Sequence, residues 1–203
     1  MPRFRVWLVA LLAGCAQPAP VQEKPAAPEK PGELPALPAT FVNSPGCPGC
    51  LGVTVTLRPD GSYLVRELVG ASEFYDFGRW RRAGGILELE GGRDAPRRYA
   101  LRGEGLDSQP GTQGGDLTRA PKVETLRGPF RMIGLYDGSV FKECRTGIAW
   151  GFAATRAAET LRDEFGKRQQ PQALVAVDAQ FEGAPEVLRV LRPATLLKGS
   201  ACP

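Results

Sequence analysis

From Val53 onward the chain alternates with a period of two: Val53, Val55 and Leu57 are apolar, while Thr54, Thr56 and Arg58 are polar. Successive side chains of an extended chain point to opposite faces, so this is the pattern of a half-buried strand. Pro59-Asp60-Gly61 follows with turn chemistry, glycine standing where a positive φ is needed. The spacing predicts a return strand over 63–69 and further strands over 74–81, 86–90 and 97–102, with turns at Ala83-Gly84-Gly85 and Gly91-Gly92. Five short strands on hairpin-length connections predict an up-and-down β-meander that curls into a barrel or half-barrel. In such a barrel, Gly78-Arg79-Trp80 lets a tryptophan close the floor. Residues 107–122 are rich in Gly, Pro, Asp and Gln and lack apolar periodicity, which predicts a long loop and the domain boundary.

Beyond that break the pattern changes. Paired strands are expected at 130–135 and 139–144, around Tyr136-Asp137-Gly138. The period then becomes helical: Ala158, Leu161 and Phe165 share one face, Thr155 is placed to cap the start, and Gly166 offers a left-handed stop. Two last strands, 173–181 and 187–197, are separated by Glu182-Gly183-Ala184-Pro185, which cannot continue a strand. Strands, one helix, then strands fit a small OB-like β-barrel. The fold class is therefore mainly β, with two barrels in succession.

The first forty residues belong to neither barrel. Arg3 and Arg5 precede a short apolar run ending at Leu12, too short for a bilayer span of about 20 residues. Leu12-Ala13-Gly14-Cys15 then resembles the lipobox of bacterial lipoproteins, so Cys15 is the expected lipid attachment residue. Several acyl chains on one residue anchor stably, because each buried CH₂ contributes about 0.8 kcal/mol. Ala16, rather than Asp, behind the cysteine points to the outer membrane, facing the periplasm. Residues 16–40 carry Pro18, Pro20, Pro25, Pro28, Pro31, Pro35 and Pro38 among Ala, Glu and Lys, and read as an extended spacer. The expected organisation is signal peptide and lipobox at 1–15, linker at 16–40, first barrel at 41–122 and OB-like domain at 123–203.

Charge narrows the function. The full chain has 26 basic and 22 acidic residues. Without Arg3 and Arg5 the mature balance is 24 to 22, a net charge of +2. Such mild, dispersed charge argues against nucleic acid as a partner, and the OB-like barrel does not override that. The basic runs Arg79-Trp80-Arg81-Arg82 and Arg97-Arg98 read as strand or turn faces in water. The chain has no histidine, the usual proton shuttle near neutral pH, and its carboxylates are scattered, with Glu88 and Glu90 at a spacing that faces solvent. An enzyme is not expected.

The five cysteines carry the remaining chemistry. In an oxidising envelope an even set tends to pair, and Cys144 and Cys202 read as a disulfide. Closing so long a loop stabilises the folded state by roughly 4 kcal/mol in the chain-entropy account. Cys47-Pro48-Gly49-Cys50 admits a small disulfide, a redox- or metal-responsive loop, or an oxidoreductase pair. The last needs a helix start to lower the thiol pKa, whereas glycine, proline and a strand surround this pair. Two sulfurs suffice for Cu(I) but not for structural zinc, so Cu(I) is the one cofactor these residues would take.

The order of lipobox, proline-rich spacer, Cys47–Cys50, Gly52-Val53, Pro59-Asp60-Gly61-Ser62-Tyr63 and an approximate Phe-x-x-x-Gly-x-Trp at 74–80 resembles the NlpE-type copper-resistance and envelope-stress lipoproteins. Phe141-Lys142-Glu143-Cys144-Arg145-Thr146-Gly147 looks like the start of that family's second, OB-fold domain with its own cysteine pair. The resemblance implies a lipocalin-like first barrel and a lipid-anchored, non-enzymatic protein that reports surface contact, faulty disulfide formation or copper stress to an envelope signalling protein. It leaves two alternatives: Cu(I) binding or buffering through Cys47 and Cys50, or carriage of a hydrophobic ligand in the barrel. One departure bears on copper, since the family usually has a small or acidic residue where this chain has Pro48-Gly49.

Overall fold

The computed structural model describes residues 32–43, 50–92 and 96–203. Cys15, Cys47 and the first part of the spacer lie outside them. The alternating segment from Gly52 forms the second of eight strands that close into an antiparallel barrel. These are β1 (Ala39–Val42), β2 (Gly52–Leu57), β3 (Ser62–Val69), β4 (Ser72–Ala83), β5 (Ile86–Glu90), β6 (Arg97–Arg102), β7 (Gly105–Ser108) and β8 (Leu117–Arg119). Each strand pairs with the next, and β8 returns to β1 through Phe41 opposite Arg119, so the barrel has no free edge.

Three strands depart from the sequence expectation. β1 begins at Ala39, inside the expected spacer, and Ala39 and Phe41 are buried in the barrel. Gly32 already donates its N–H to the Leu101 carbonyl, so the chain joins the barrel before the prolines end. β7 and β8 overlap the segment read as an open loop, and their Leu106 and Leu117 are fully buried. Strands of three or four residues are too short to display a period of two.

The interior holds side chains, among them Phe41, Val55, Leu57, Tyr99 and Leu106. The outer face of β2 is also buried, because residues following β8 run across it. Thr40 and Thr56 share a hydroxyl hydrogen bond of 2.8 Å. Thr56 donates to the Glu124 carbonyl, and the Glu124 N–H donates to Thr40. Alternating threonines that suggested solvent thus anchor the crossing chain. Gly78 marks where β4 begins to pair with β5 as well as β3. A Cβ there would stand 2.1 Å from the Glu90 carbonyl oxygen, so only glycine fits.

The second unit is β9 (Phe130–Tyr136), β10 (Val140–Glu143), β11 (Ala149–Gly151), α1 (Arg156–Gly166), β12 (Ala173–Glu182), β13 (Val187–Val190) and β14 (Thr195–Leu196). Its strand order is β11-β10-β9-β12-β13. A parallel bridge between Phe152 and Leu188 brings the two ends together, giving a nearly closed, OB-like barrel with its helix between the third and fourth strands. Thr155 caps α1 by accepting the Ala158 N–H, and Ala158, Leu161 and Phe165 are the buried face. Gly166 is not the left-handed stop. It stays within the helix, Lys167 is the right-handed cap, and the positive φ falls on Gln169 at 51°. The expected final strand is interrupted, leaving β13 and β14 separate.

The two barrels share a core. Leu64 and Phe77, on the outer face of the first, pack with Phe130, Met132 and Phe181 of the second. Phe130 meets Tyr75 and Phe77 edge-on, each at 5.8 Å between ring centroids.

Candidate functional site: a disulfide and an arginine at the barrel junction

Cys144, immediately after β10, is bonded to Cys202, with Cα atoms 5.4 Å apart and a sequence separation of 58. The next residue, Arg145, reaches across to the first barrel. Its Nη1 donates to Asp76 Oδ1 at 3.0 Å and to the Gly91 carbonyl at 2.7 Å. Its guanidinium carbon stands 4.4 Å from the centre of the Phe77 ring. Asp76 and Gly91 flank the place where β4 parts from β5, and Arg145 packs against Gly91 there.

The base of Arg145 is fixed from its own side. Its Nε donates to Glu143 Oε1 at 3.2 Å. Glu143 is a fully buried carboxylate, and it also accepts the Thr146 N–H at 2.7 Å and the Thr146 hydroxyl at 2.9 Å. A buried carboxylate is tolerable only with such partners. Glu143-Cys144-Arg145-Thr146 is therefore a single hydrogen-bonded corner in which the disulfide-bonded cysteine and the bridging arginine are consecutive residues.

A reciprocal contact stands elsewhere on the junction. Arg58, in the turn after β2, donates to Glu186 Oε2 at 2.6 Å and lies 5.3 Å from the Phe181 ring centre. The indole Nε1 of Trp80, packed against the first core, donates to the Arg58 carbonyl. Each barrel thus sends one arginine onto a phenylalanine and a carboxylate of the other.

Inside the first barrel, Arg97 donates to Glu67 as a buried ion pair, which corrects the reading of Arg97-Arg98 as a solvated face. Burial acts to lower the Arg97 pKa, but the Glu67 carboxylate outweighs it and holds the pKa above its ordinary value. Burial, then the Asp76 charge, pushes the Tyr63 phenol far up, and burial does the same to Tyr99. Both stay neutral at any physiological pH. Of the other expected solvent groups, Arg81 bridges Glu88 and Glu90, and Arg98 pairs with Glu88.

Cys50 is disulfide-bonded. A disulfide offers no thiolate, so Cu(I) binding through Cys47 and Cys50 would require prior reduction. Sequence reasoning identified Cys144 and Cys202 but missed Arg145, Asp76 and the Glu67–Arg97 pair. The one available signal was the arginine adjoining a cysteine in Glu143-Cys144-Arg145.

No protein-family model matches the chain, and no curated protein matches it. Among solved structures, the crystal structure of the Cpx pathway activator NlpE from Escherichia coli aligns with it at 21% identity and a TM-score of 0.36, covering 82% of this chain and 98% of that chain.

Proposed function

We propose that this is a non-enzymatic protein of the bacterial cell envelope, lipid-anchored through Cys15, that reports the oxidising state of its compartment through Cys144 and Cys202. The observation that carries the reading is the adjacency of the disulfide to Arg145, which ties the state of one covalent bond to a contact between the barrels. In an oxidising compartment the bond holds the Glu143–Thr146 corner. When oxidation fails, Cys144 is released beside the arginine that engages Asp76, Gly91 and Phe77. The altered junction is then what a membrane-bound envelope signalling protein recognises.

The resemblance seen in the sequence agrees with a stress-reporting role. Ala16 behind the cysteine suggests an outer-membrane anchor facing the periplasm, with the proline-rich residues as a spacer. The packed interior of the first barrel favours signalling over carriage of a ligand inside it.

Crosslinking and pull-down from envelope membranes, with and without dithiol stress, tests the proposal. A partner should be captured from stressed cells and should also be captured from unstressed cells carrying Cys144→Ser/Cys202→Ser. Identical capture in all conditions would sink the redox reading, as would mass spectrometry finding both cysteines free in an unstressed envelope.

A further inference from the structure

Beside the disulfide lies a partly enclosed cleft of about 360 Å³ between the N-terminal half of β4, the outer face of β9 and the 143–145 corner. That volume is at the lower end of the range for small-molecule sites, roughly 300–1,000 Å³. Its apolar walls are Tyr75, Ile133, Cys144 and Pro203. The Tyr75 hydroxyl is turned to Glu73, at 2.8 Å, and leaves the ring as the surface on offer.

The charged residues lining the cleft, two carboxylates and two arginines, sum to zero but are unevenly paired. Asp76, Glu143 and Arg145 also line it, and they are engaged with one another at 3.0 and 3.2 Å. Arg131, the remaining charged residue of the lining, has no acidic partner within 4.0 Å among the described residues. Its cross-strand neighbour Asp178 pairs instead with Arg192 at 3.9 Å. The cleft thus combines an apolar hollow with one uncommitted positive charge.

We propose that this cleft binds a small amphipathic monoanion, an acyl or aryl group carrying one carboxylate or sulfonate, with Arg131 as the partner of the anion and Tyr75, Ile133 and Pro203 around the apolar body. A doubly charged anion would meet Asp76 and Glu143, and a neutral apolar molecule would leave Arg131 unused. Because Cys144 and Pro203, the residue after Cys202, form walls, the oxidised protein is the form that binds. Reciprocity then makes the ligand protect the disulfide from reduction. This link to oxidation rests on the proposed redox role, whereas binding itself does not.

Fluorescence titration of the oxidised full chain with anilinonaphthalene sulfonate tests it. Binding should saturate at one molecule per chain. Displacement by octanoate rather than naphthoate would assign an acyl body, and the reverse an aryl body. Arg131→Gln should weaken binding by about fivefold, the effect expected for losing one accessible ion pair, with the melting temperature unchanged and Arg131→Lys retaining most of the affinity. Equal binding by Arg131→Gln and the unaltered protein overturns the site, as does failure of both carboxylates to displace the probe. Cys144→Ser/Cys202→Ser should bind at least as weakly as Arg131→Gln, and full binding by that variant overturns the disulfide's place as a wall. Partner capture independent of the disulfide would refute the redox role without altering the Arg131 result.

Discussion

Arg97 shows how one residue can invert a sequence reading. Beside Arg98 it looks like part of a solvated basic run, yet alternation along β6 puts Arg98 outside and Arg97 inside. Glu67 faces it from β3, and the pair sits among Tyr63 and Tyr99 in an otherwise apolar barrel. Desolvating two charges offsets much of their attraction, so the pair adds little net stability, but removing one member strands the other. Glu67→Gln should therefore destabilise the protein by about 3–5 kcal/mol, and Glu67→Leu/Arg97→Met should recover most of that loss. Urea denaturation of the single and double variants measures it. A Glu67→Gln cost below about 1 kcal/mol would mean that water reaches the pair.

At the scale of elements, what could be read depended on length. β2 to β6 repeat apolar positions often enough to declare themselves, and α1 shows its buried face through Ala158, Leu161 and Phe165. β1, β7, β8, β11 and β14 have two to four residues each, and their pairing comes from closure of the barrels rather than from their own pattern. The Cys144–Cys202 pairing was legible from cysteine number and compartment. Arg145 was not, because its partners Asp76 and Gly91 are 69 and 54 residues away. The helix start is the element whose chemistry was most local. Thr155 supplies the cap oxygen to Ala158 N–H, so Thr155→Ala should cost about 1 kcal/mol. The urea midpoint should fall with an unchanged slope, since no buried surface is lost. An unchanged midpoint would show that the capping bond contributes nothing in water.

At the scale of the molecule, the proposed role depends on whether a change at Cys144 is felt in the first barrel. The contacts argue that it is. Leu64 and Phe77 belong to the same apolar cluster as Phe130 and Phe181, and Arg58 and Arg145 cross the junction in opposite directions. Two units joined only by a linker would unfold separately, but a shared core makes the exposure of either face costly to both. Trp80 reports on the first barrel and Trp150 on the second, so Trp150→Phe and Trp80→Phe give two probes of one transition. Their urea midpoints should coincide. Reducing Cys144–Cys202 should lower both together by about 4 kcal/mol of stability, even though the bond lies wholly within the second unit. If reduction shifts the Trp150 transition and leaves Trp80 in place, the barrels are uncoupled, and Arg145 cannot transmit the state of the disulfide. Phe77→Ala separates the remaining possibilities. It removes a first-barrel side chain from the shared core, so it should destabilise the Trp150 probe by about 3–5 kcal/mol as well as its own barrel.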